Sequence, residues 1–242
     1  MNKLMCHVVA GYPDADACLG LMKGMQKAGA AAIEVQIPFS DPIADGETIM
    51  RANDVALEGG MTTAKSFELI KQAGLGCDVY VMSYIQKVLH CGFEAFCEAV
   101  AKAGAKGLII PDLPHESPEH KELLRLCRNY KLELVPVFSP GMPRERLKAA
   151  LEDDPKCVYV TSRKGITGSE YAGGGELKRF VDDIRNQSDA EVMIGFGIST
   201  PQDVKDALEL GDVAVVGSAF IKELQKSGDS LSLVKELIGA RQ

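Results

Sequence analysis

Two carboxylates near the end of one short apolar segment are the residues of this sequence best suited to move a proton. Glu34 lies inside the apolar run 32–37, and Asp45 follows one loop later on a Pro-rich segment. Removing a carboxylate from water disfavours its charged form, and proteins tolerate that cost mainly where a proton must move near neutral pH. One carboxylate in a dry strand and one on a polar loop could therefore act as an acid–base pair. The alternative is that Glu34 only neutralises a buried lysine or arginine.

The segments that must position these carboxylates alternate between β-branched and amphipathic patterns. The predicted strands are Leu4–Ala10, Ala32–Ile37, Val79–Ser83, Gly107–Pro111, Leu134–Phe138, Val158–Ser162, Val192–Phe196 and Val213–Val216. The predicted helices include Cys18–Ala28, Phe93–Ala103, Pro118–Asn129, Arg144–Leu151, Leu177–Asn186 and Pro201–Leu210. Parallel neighbours need a crossover helix, so this alternation predicts a parallel sheet.

We predict one α/β domain over residues 1–242, a (β/α)8 TIM barrel of the phosphate-binding type. An open doubly wound sheet is the alternative, which the lack of a Gly-x-Gly-x-x-Gly motif after the first strand disfavours. In a barrel, function gathers at the carboxyl ends of the strands. Strand alternation places Ile33 and Val35 toward the helices, and Glu34 and Gln36 toward the barrel mouth.

Two glycine-containing turns, after the seventh and eighth predicted strands, suggest a phosphate site. The segments 195–201 and 215–222 each lead from a strand into a helix through glycine, notably Gly197 and Gly217 followed by Ser218. Glycine lets the backbone approach a ligand, and a helix N-terminus offers unpaired N–H groups to an anion. Each glycine alone could serve turn geometry only, but the pair at these units favours a phosphate ligand. The Gly-rich segment 162–175 could be a lid over the site or a surface connection.

Composition excludes several classes of function. The net charge of −7, from 27 basic and 34 acidic residues, argues against nucleic acid or an anionic membrane as partner. The seven cysteines are scattered without a Cys-x-x-Cys pair, so we expect neither a disulfide framework nor a metal site. No apolar run reaches the roughly 20 residues of a membrane span. We therefore expect a cytoplasmic protein.

Several blocks of the sequence resemble one family, the tryptophan synthase alpha subunit. The blocks are Glu34–Gly46 with Ala52-Asn53, Pro111–Pro114, Ser162-Arg163 through Thr167-Gly168, Gly195–Ile198 and Gly217–Ala219. The resemblance implies cleavage of indole-3-glycerol phosphate to indole and glyceraldehyde 3-phosphate, a retro-aldol reaction. Glu34 matches the family's acid–base residue, which exchanges protons with indole C3 and the side-chain hydroxyl. Asp45 matches the carboxylate that receives the indole N–H.

The same resemblance assigns further residues and a partner. Phosphate would be held by Gly168, Gly197, Gly217 and Ser218, and the pocket and lid would be formed by Tyr84, Ile109, Tyr159, Thr167 and Phe196. No cofactor is implied on this chain. A partner beta subunit would carry pyridoxal phosphate and receive the indole, in an α2β2 complex. Pro38, Asp41 and Asp112 match residues at or near that interface.

Three residues depart from the family pattern. Gln36 replaces a common glycine and could hydrogen-bond Glu34 or narrow the indole slot. Glu47 replaces a proline, and its charge could raise the pKa of Asp45 by repulsion. His7 stands where an aromatic residue is frequent, and a packed core imidazole is the simpler interpretation. Because Gln36 and Glu47 crowd the catalytic pair, a regulatory subunit with little catalysis of its own is one alternative. Another phosphate-binding barrel, such as a sugar-phosphate isomerase or a free indole-releasing lyase, is a second.

Overall fold

Strands and helices alternate along the chain in the computed structural model, which describes residues 3–161, 174–195 and 197–240. The strands are β1 (Lys3–Val9), β2 (Ala32–Gln36), β3 (Asp78–Met82), β4 (Gly107–Ile109), β5 (Glu133–Val135), β6 (Val137–Phe138), β7 (Cys157–Thr161), β8 (Glu191–Gly195) and β9 (Val213–Val216). The helices are α1 (Ala15–Ala28), α2 (Glu47–Glu58), α3 (Thr63–Ala73), α4 (Ile85–Cys91), α5 (Phe93–Lys102), α6 (Pro118–Asn129), α7 (Arg144–Leu151), α8 (Gly174–Arg185), α9 (Pro201–Leu210), α10 (Ser218–Ser227) and α11 (Leu231–Gly239).

The strands form a parallel sheet in the order β5-β4-β3-β2-β1-β9-β8-β7-β6. Its two edge strands, β5 and β6, are separated only by Pro136. One continuous segment therefore pairs with β4 on one side and β7 on the other, which wraps the sheet into a barrel. The predicted barrel is confirmed, and the open-sheet alternative is wrong.

Pro136 also explains why the fifth predicted strand, 134–138, is divided in two. Proline has no N–H group to donate to a neighbouring strand. Its carbonyl still accepts the N–H of Tyr159, with N and O 2.9 Å apart. The strand thus continues across the break, although it is counted as two strands rather than the one expected.

The predicted helices are present with small shifts at their ends, but four further helices lacked a clear signal. In α2 the buried positions are Ile49, Ala52, Asn53 and Ala56, and in α3 they are Ser66, Leu69, Ile70 and Ala73. Small and polar residues on the buried face weaken the apolar period from which a helix is recognised. The short α4 and the final α11 were also missing from the prediction. Within the described residues, every helix is too short or too polar to span a lipid bilayer.

Two separate sets of apolar side chains follow from the alternation along the strands. Ile33, Val35 and Ile37 belong to the layer between strands and helices, as predicted. The barrel interior holds a second cluster, which includes Met5, Tyr80, Met82, Tyr84, Ile109, Tyr159, Met193 and Val215. Because large side chains fill the interior, the barrel is a packed core and not an open pore.

A cluster of two histidines and one carboxylate ties the β4–α6 connection to the segment after α7. Nε2 of His115 and Nε2 of His120 lie 2.8 and 2.9 Å from the same oxygen, Oδ2 of Asp153. The three side chains are also the group of described residues whose ligand atoms lie close enough together for a metal ion. Hydrogen bonds to the shared oxygen account for their arrangement. Burial raises the pKa of Asp153, but the two histidines outweigh burial and hold that pKa below its usual value.

Replacing Asp153 by asparagine should lower the free energy of unfolding by about 1.5 kcal/mol at neutral pH, the low end of the range for hydrogen bonds to a charged group, because the Asp153 side chain is 32% exposed. A carboxyl whose pKa is lowered by folding stabilises the fold above its unfolded pKa of about 4. That contribution is lost as the pH falls through the lower folded value. Urea unfolding of wild type and Asp153→Asn at neutral pH and near pH 3 would measure this difference.

The adjacent Asp154→Asn substitution is the matched control. Asp154 is largely exposed, pairs with Lys156 and has a φ of 53°, which asparagine adopts readily. We expect its free energy of unfolding to be unchanged or slightly higher than that of the wild type. If both variants lost the same free energy of unfolding, the hydrogen bonds of Asp153 to the two histidines would not be what stabilises the fold.

Candidate active site

The carboxyl end of β2 carries two polar side chains into the barrel interior. Glu34 and Gln36 alternate with the outward-facing Ile33 and Val35, and their residues are only 4% and 0% exposed. β2 lies between β1 and β3, with Glu34 in register with His7 on one side and Tyr80 on the other. Both polar groups are therefore desolvated and need partners inside the barrel.

Asp45 is the partner of Gln36. The amide Nε2 of Gln36 donates to Oδ2 of Asp45 at 2.7 Å, and the hydroxyl of Tyr84 donates to the same oxygen at 3.0 Å. Burial, together with the charge of Glu34, raises the pKa of Asp45 despite the opposing effects of Gln36, Tyr84 and His7. Burial also raises the pKa of Tyr84, so its hydroxyl remains a donor. Gln36 thus contacts Asp45, whereas the sequence had suggested Glu34 as its partner.

Asn53, on the buried face of α2, fixes the loop between β2 and α2. Its Oδ1 accepts the backbone N–H of Phe39 at 2.9 Å and Nε2 of Gln36 at 3.3 Å. Its own amide donates to the carbonyl of Ile49 at 2.8 Å. Sequence analysis included Asn53 in a motif but gave it no role. A polar residue among the inward positions of a helix was the signal that could have identified it.

His7 is the partner of Glu34. Its Nδ1 lies 2.8 Å from Oε2 of Glu34, and both side chains are less than a tenth exposed. Burial lowers the pKa of His7, but the charge and hydrogen bond of Glu34, helped by Asp45 and Gln36, outweigh burial and raise it above its usual value. His7 is therefore a buried imidazole, as the simpler interpretation had it, and it is also part of this polar cluster through its hydrogen bond to Glu34. Among the described residues, the partner of Glu34 is an imidazole and not the lysine or arginine of the alternative interpretation.

Tyr159 projects into the same interior from β7, and its hydroxyl occupies the space that a side chain on Gly195, at the end of β8, would fill. A Cβ atom on Gly195 would lie 1.9 Å from the Tyr159 hydroxyl, so any larger residue would displace the ring. Burial, with the charges of Glu34 and Asp45, keeps the pKa of Tyr159 well above its usual value. Tyr159 is thus a neutral group facing both carboxylates. Tyr84, Tyr159 and Ile109 share the interior cluster, as expected for lining residues of one pocket.

The predicted phosphate residues that the structure describes lie at the same end of the barrel. Gly217 ends β9 and precedes α10, which begins at Ser218 and has no side-chain cap among the described residues. A Cβ on Gly217 would lie 3.2 Å from three atoms of His7. Gly197 follows β8 with a φ of 84°, a conformation that favours glycine. Gly168, Thr167 and Phe196, together with most of the predicted lid, lie outside the described residues.

The residues predicted to contact a partner lie around the β2–α2 and β4–α6 connections. Pro38 is buried, whereas Asp41 is exposed. Asp112 accepts the backbone N–H of Ile85 at 2.9 Å, and burial raises its pKa. Nearby Ile43 is 70% exposed, which is unusual for so large an apolar side chain.

Glu47 does not raise the pKa of Asp45, as the sequence had suggested it could. It lies exposed on α2 and pairs with Arg51, with N and O 2.6 Å apart. The carboxylate that raises the pKa of Asp45 is Glu34. The site therefore consists of two linked pairs, Glu34 with His7 and Asp45 with Gln36, beside two tyrosines. Such groups can donate, accept and exchange protons with a ligand at the barrel mouth.

Comparison with known proteins gives a consistent result. A family model described as the tryptophan synthase alpha chain matches residues 1–239. The tryptophan synthase alpha chain of Methanococcus maripaludis is 39% identical over 236 residues, covering 95% of this chain and 90% of that protein. That of Chloroflexus aggregans is 34% identical over 248 residues, covering 99% and 92%. A solved chain of the α2β2 tryptophan synthase complex from Pyrococcus furiosus is similar with a TM-score of 0.88, at 29% identity and 98% coverage of both chains.

Replacing Gln36 by methionine should raise the pKa of Asp45 further, because the lost hydrogen bond stabilises the ionised carboxyl. Carboxyl NMR titration of Asp45 would measure the shift. Glu47→Gln is the matched control and should leave that pKa unchanged. If Glu47→Gln changed the pKa of Asp45 more than Gln36→Met, charge repulsion from α2 would determine that pKa.

Proposed function

The chain belongs to the tryptophan synthase alpha chain family of lyases, and we propose that it cleaves indole-3-glycerol phosphate to indole and glyceraldehyde 3-phosphate. The observation that carries this proposal is the placement of a buried carboxylate, Glu34, and a partly buried one, Asp45, with different partners at one end of the barrel. A retro-aldol cleavage of this substrate needs a proton on indole C3, loss of the proton from the hydroxyl, and support for the indole N–H. Two carboxylates held apart by their partners can divide these tasks.

Asp45 is suited to support the indole N–H. Gln36 and Tyr84 both donate to Oδ2, which leaves the other carboxylate oxygen for the ligand. Positive charge that develops on the protonated ring would be stabilised by the carboxylate in this dry setting. Tyr84 and Ile109, both in the interior cluster, supply apolar surface for the flat indole ring.

Glu34 is suited to exchange protons with the reacting centre. It lies deeper than Asp45, on the strand itself, and its carboxylate is fixed by the contact with His7. A fixed carboxyl group within a closed pocket can act as general acid or base without first shedding water. On the family pattern, Glu34 both protonates C3 and takes up the hydroxyl proton.

The phosphate end of the substrate would lie against the β9–α10 turn. Ser218 and Ala219 begin a helix that has no side-chain cap among the described residues, so their N–H groups face the ligand, and the lack of a side chain on Gly217 opens the approach. Gly197 belongs to the neighbouring turn, and Gly168 is proposed from the sequence pattern. Anchoring the phosphate here would direct the glycerol chain inward, toward Glu34 and His7.

The partner in this proposal is a tryptophan synthase beta subunit in an α2β2 complex. The similar Pyrococcus furiosus structure is such a complex. Exposed apolar side chains at Ile43 and Met50 flank the β2–α2 loop, which also carries Pro38 and Asp41. Covering these side chains would bring the partner close to Asp45. Pyridoxal phosphate would belong to the beta subunit, and indole would pass to it within a cytoplasmic complex.

Replacing Glu34 by glutamine should reduce indole release by roughly 10³-fold or more, since the amide cannot exchange the proton. Indole would be measured from indole-3-glycerol phosphate with the chain alone and with a cognate beta subunit. Glu47→Gln, a carboxyl outside the site, should keep wild-type turnover. Near-normal turnover by Glu34→Gln would remove Glu34 from this role.

The same assay separates the alternative functions. A wild-type chain that releases no indole yet activates its partner, as Glu34→Gln also does, would be a regulatory subunit. Neither indole release nor activation would direct attention to another phosphate-binding barrel, such as an isomerase. Fast release without a partner would indicate a self-sufficient lyase.

Gly217→Asp should weaken substrate binding severely, because its carboxylate would repel the phosphate and its Cβ would approach His7. Gly217→Asn has almost the same volume without the charge, so it separates repulsion from bulk. We expect inorganic phosphate affinity to fall more in the aspartate variant than in the asparagine variant. Unchanged phosphate affinity in Gly217→Asp would place the phosphate elsewhere.

A further inference from the structure

We propose that His7 is a second catalytic residue, whose Nε2–H protonates indole C3 while the Glu34 carboxylate takes the hydroxyl proton. This inference rests on the proposed function, and it divides between two side chains the work that the family pattern gives to one. Glu34 then serves as the base, and His7 as the acid.

The first supporting observation is that one ring nitrogen of His7 has a hydrogen-bond partner and the other has none among the described residues. Nδ1 lies 2.8 Å from Glu34, whereas Nε2 is buried and has no hydrogen-bond partner among the described residues. An unpaired buried polar atom costs roughly 1–3 kcal/mol. Such atoms are rare in native proteins, and at the mouth of a pocket they indicate where a ligand completes the bonding.

The second supporting observation is an unpaired acceptor atom on the adjacent strand β2. Oε1 of Gln36 likewise is buried and has no partner at hydrogen-bond distance among the described residues, although the Gln36 side chain lies near enough to His7 to help raise the pKa of the imidazole. An imidazolium N–H and an amide oxygen together offer one donor and one acceptor. Gln36 therefore provides a neighbouring acceptor for a substrate hydroxyl, while Nε2–H remains available for transfer.

The third supporting observation is the position of His7 relative to Glu34 and Gly217. His7 contacts Glu34 on β2, and its ring lies against the β9–α10 turn at Gly217. It thus stands between the proposed acid–base carboxylate and the proposed phosphate turn. A substrate anchored at that turn by its phosphate must pass its reacting carbon beside His7 on the way to the indole slot.

The charges around His7 favour the protonated imidazole before the reaction. Glu34 faces it from β2 and Asp45 from the β2–α2 loop, and together they raise its pKa although burial opposes them. Tyr159, which faces the carboxylates from β7, and Tyr84, which contacts Asp45, have raised pKa values and remain neutral. On the β9–α10 turn, the residue beside the His7 ring is Gly217, which carries no charge.

The proton balance closes without any further reactant. The Nε2–H bond of His7 breaks as the C3–H bond of indole forms, and the ring nitrogen bears the positive charge beside Asp45. The bond between C3 and the glycerol carbon then breaks, its electron pair returns to the indole ring, and the hydroxyl proton goes to Glu34. After the products leave, the proton returns from Glu34 to the imidazole, through water.

Turnover against pH for wild type, His7→Gln and His7→Phe tests the proposal, with the beta subunit present. Glutamine keeps an N–H donor but cannot deliver a proton, so we expect kcat to fall about 10²–10⁴-fold with KM changed only a few-fold. The wild-type rate should decline as the pH rises through the raised pKa of His7. Both variants should lack that decline.

His90→Phe, at an exposed histidine outside the site, is the matched control and should behave as wild type. If His7→Phe unfolds because Glu34 loses its partner, His7→Gln still decides the matter. Wild-type kcat and an unchanged pH profile in the His7 variants would overturn this inference and leave the proposed function standing. A wild-type chain that releases no indole would overturn both.

Discussion

The burial of one carboxylate on a central strand is the constraint around which the rest of the site is arranged. An ionised side chain on β2 is stable in the barrel interior only if a cation or strong donor lies within hydrogen-bond reach. His7 meets this requirement from the adjacent strand, because parallel register places it directly beside Glu34. The contact then demands space at its other side, which Gly217 leaves open. One buried charge on β2 thus specifies His7 on β1 and Gly217 in the turn after β9.

A second polar network keeps the loop after β2 in place. Asn53 bonds the backbone of Phe39, and Gln36 joins Asn53 to Asp45. Each of these groups would be costly to bury alone, so the loop, the strand end and α2 are stable together or not at all. This cooperative arrangement holds Asp45 at the pocket while the tip of the loop, at Ile43, remains exposed.

Much of the fold was predictable because the spacing of apolar residues within one segment is a local property of the sequence. The strand face of Ile33 and Val35 and the helix Pro118–Asn129 followed directly from spacing. The break at Pro136 and the helices with Ala, Ser or Asn on their buried faces did not, since their apolar signal is weak. Glu34 and Asp45 were identifiable as unusual carboxylates. Their partners were not, because the contact of His7 with Glu34 depends on strand register, which spacing within one segment does not contain.

The pairing of β1 with β9 has a consequence for a chain that is still being synthesised. β1, which supplies His7, is bonded to β2 on one side and to β9 on the other. A nascent chain that has not yet released β9 from the ribosome has an unpaired edge at β1 and no turn opposite His7. Polypeptides in which β9 has not yet emerged should therefore lack a finished site around His7.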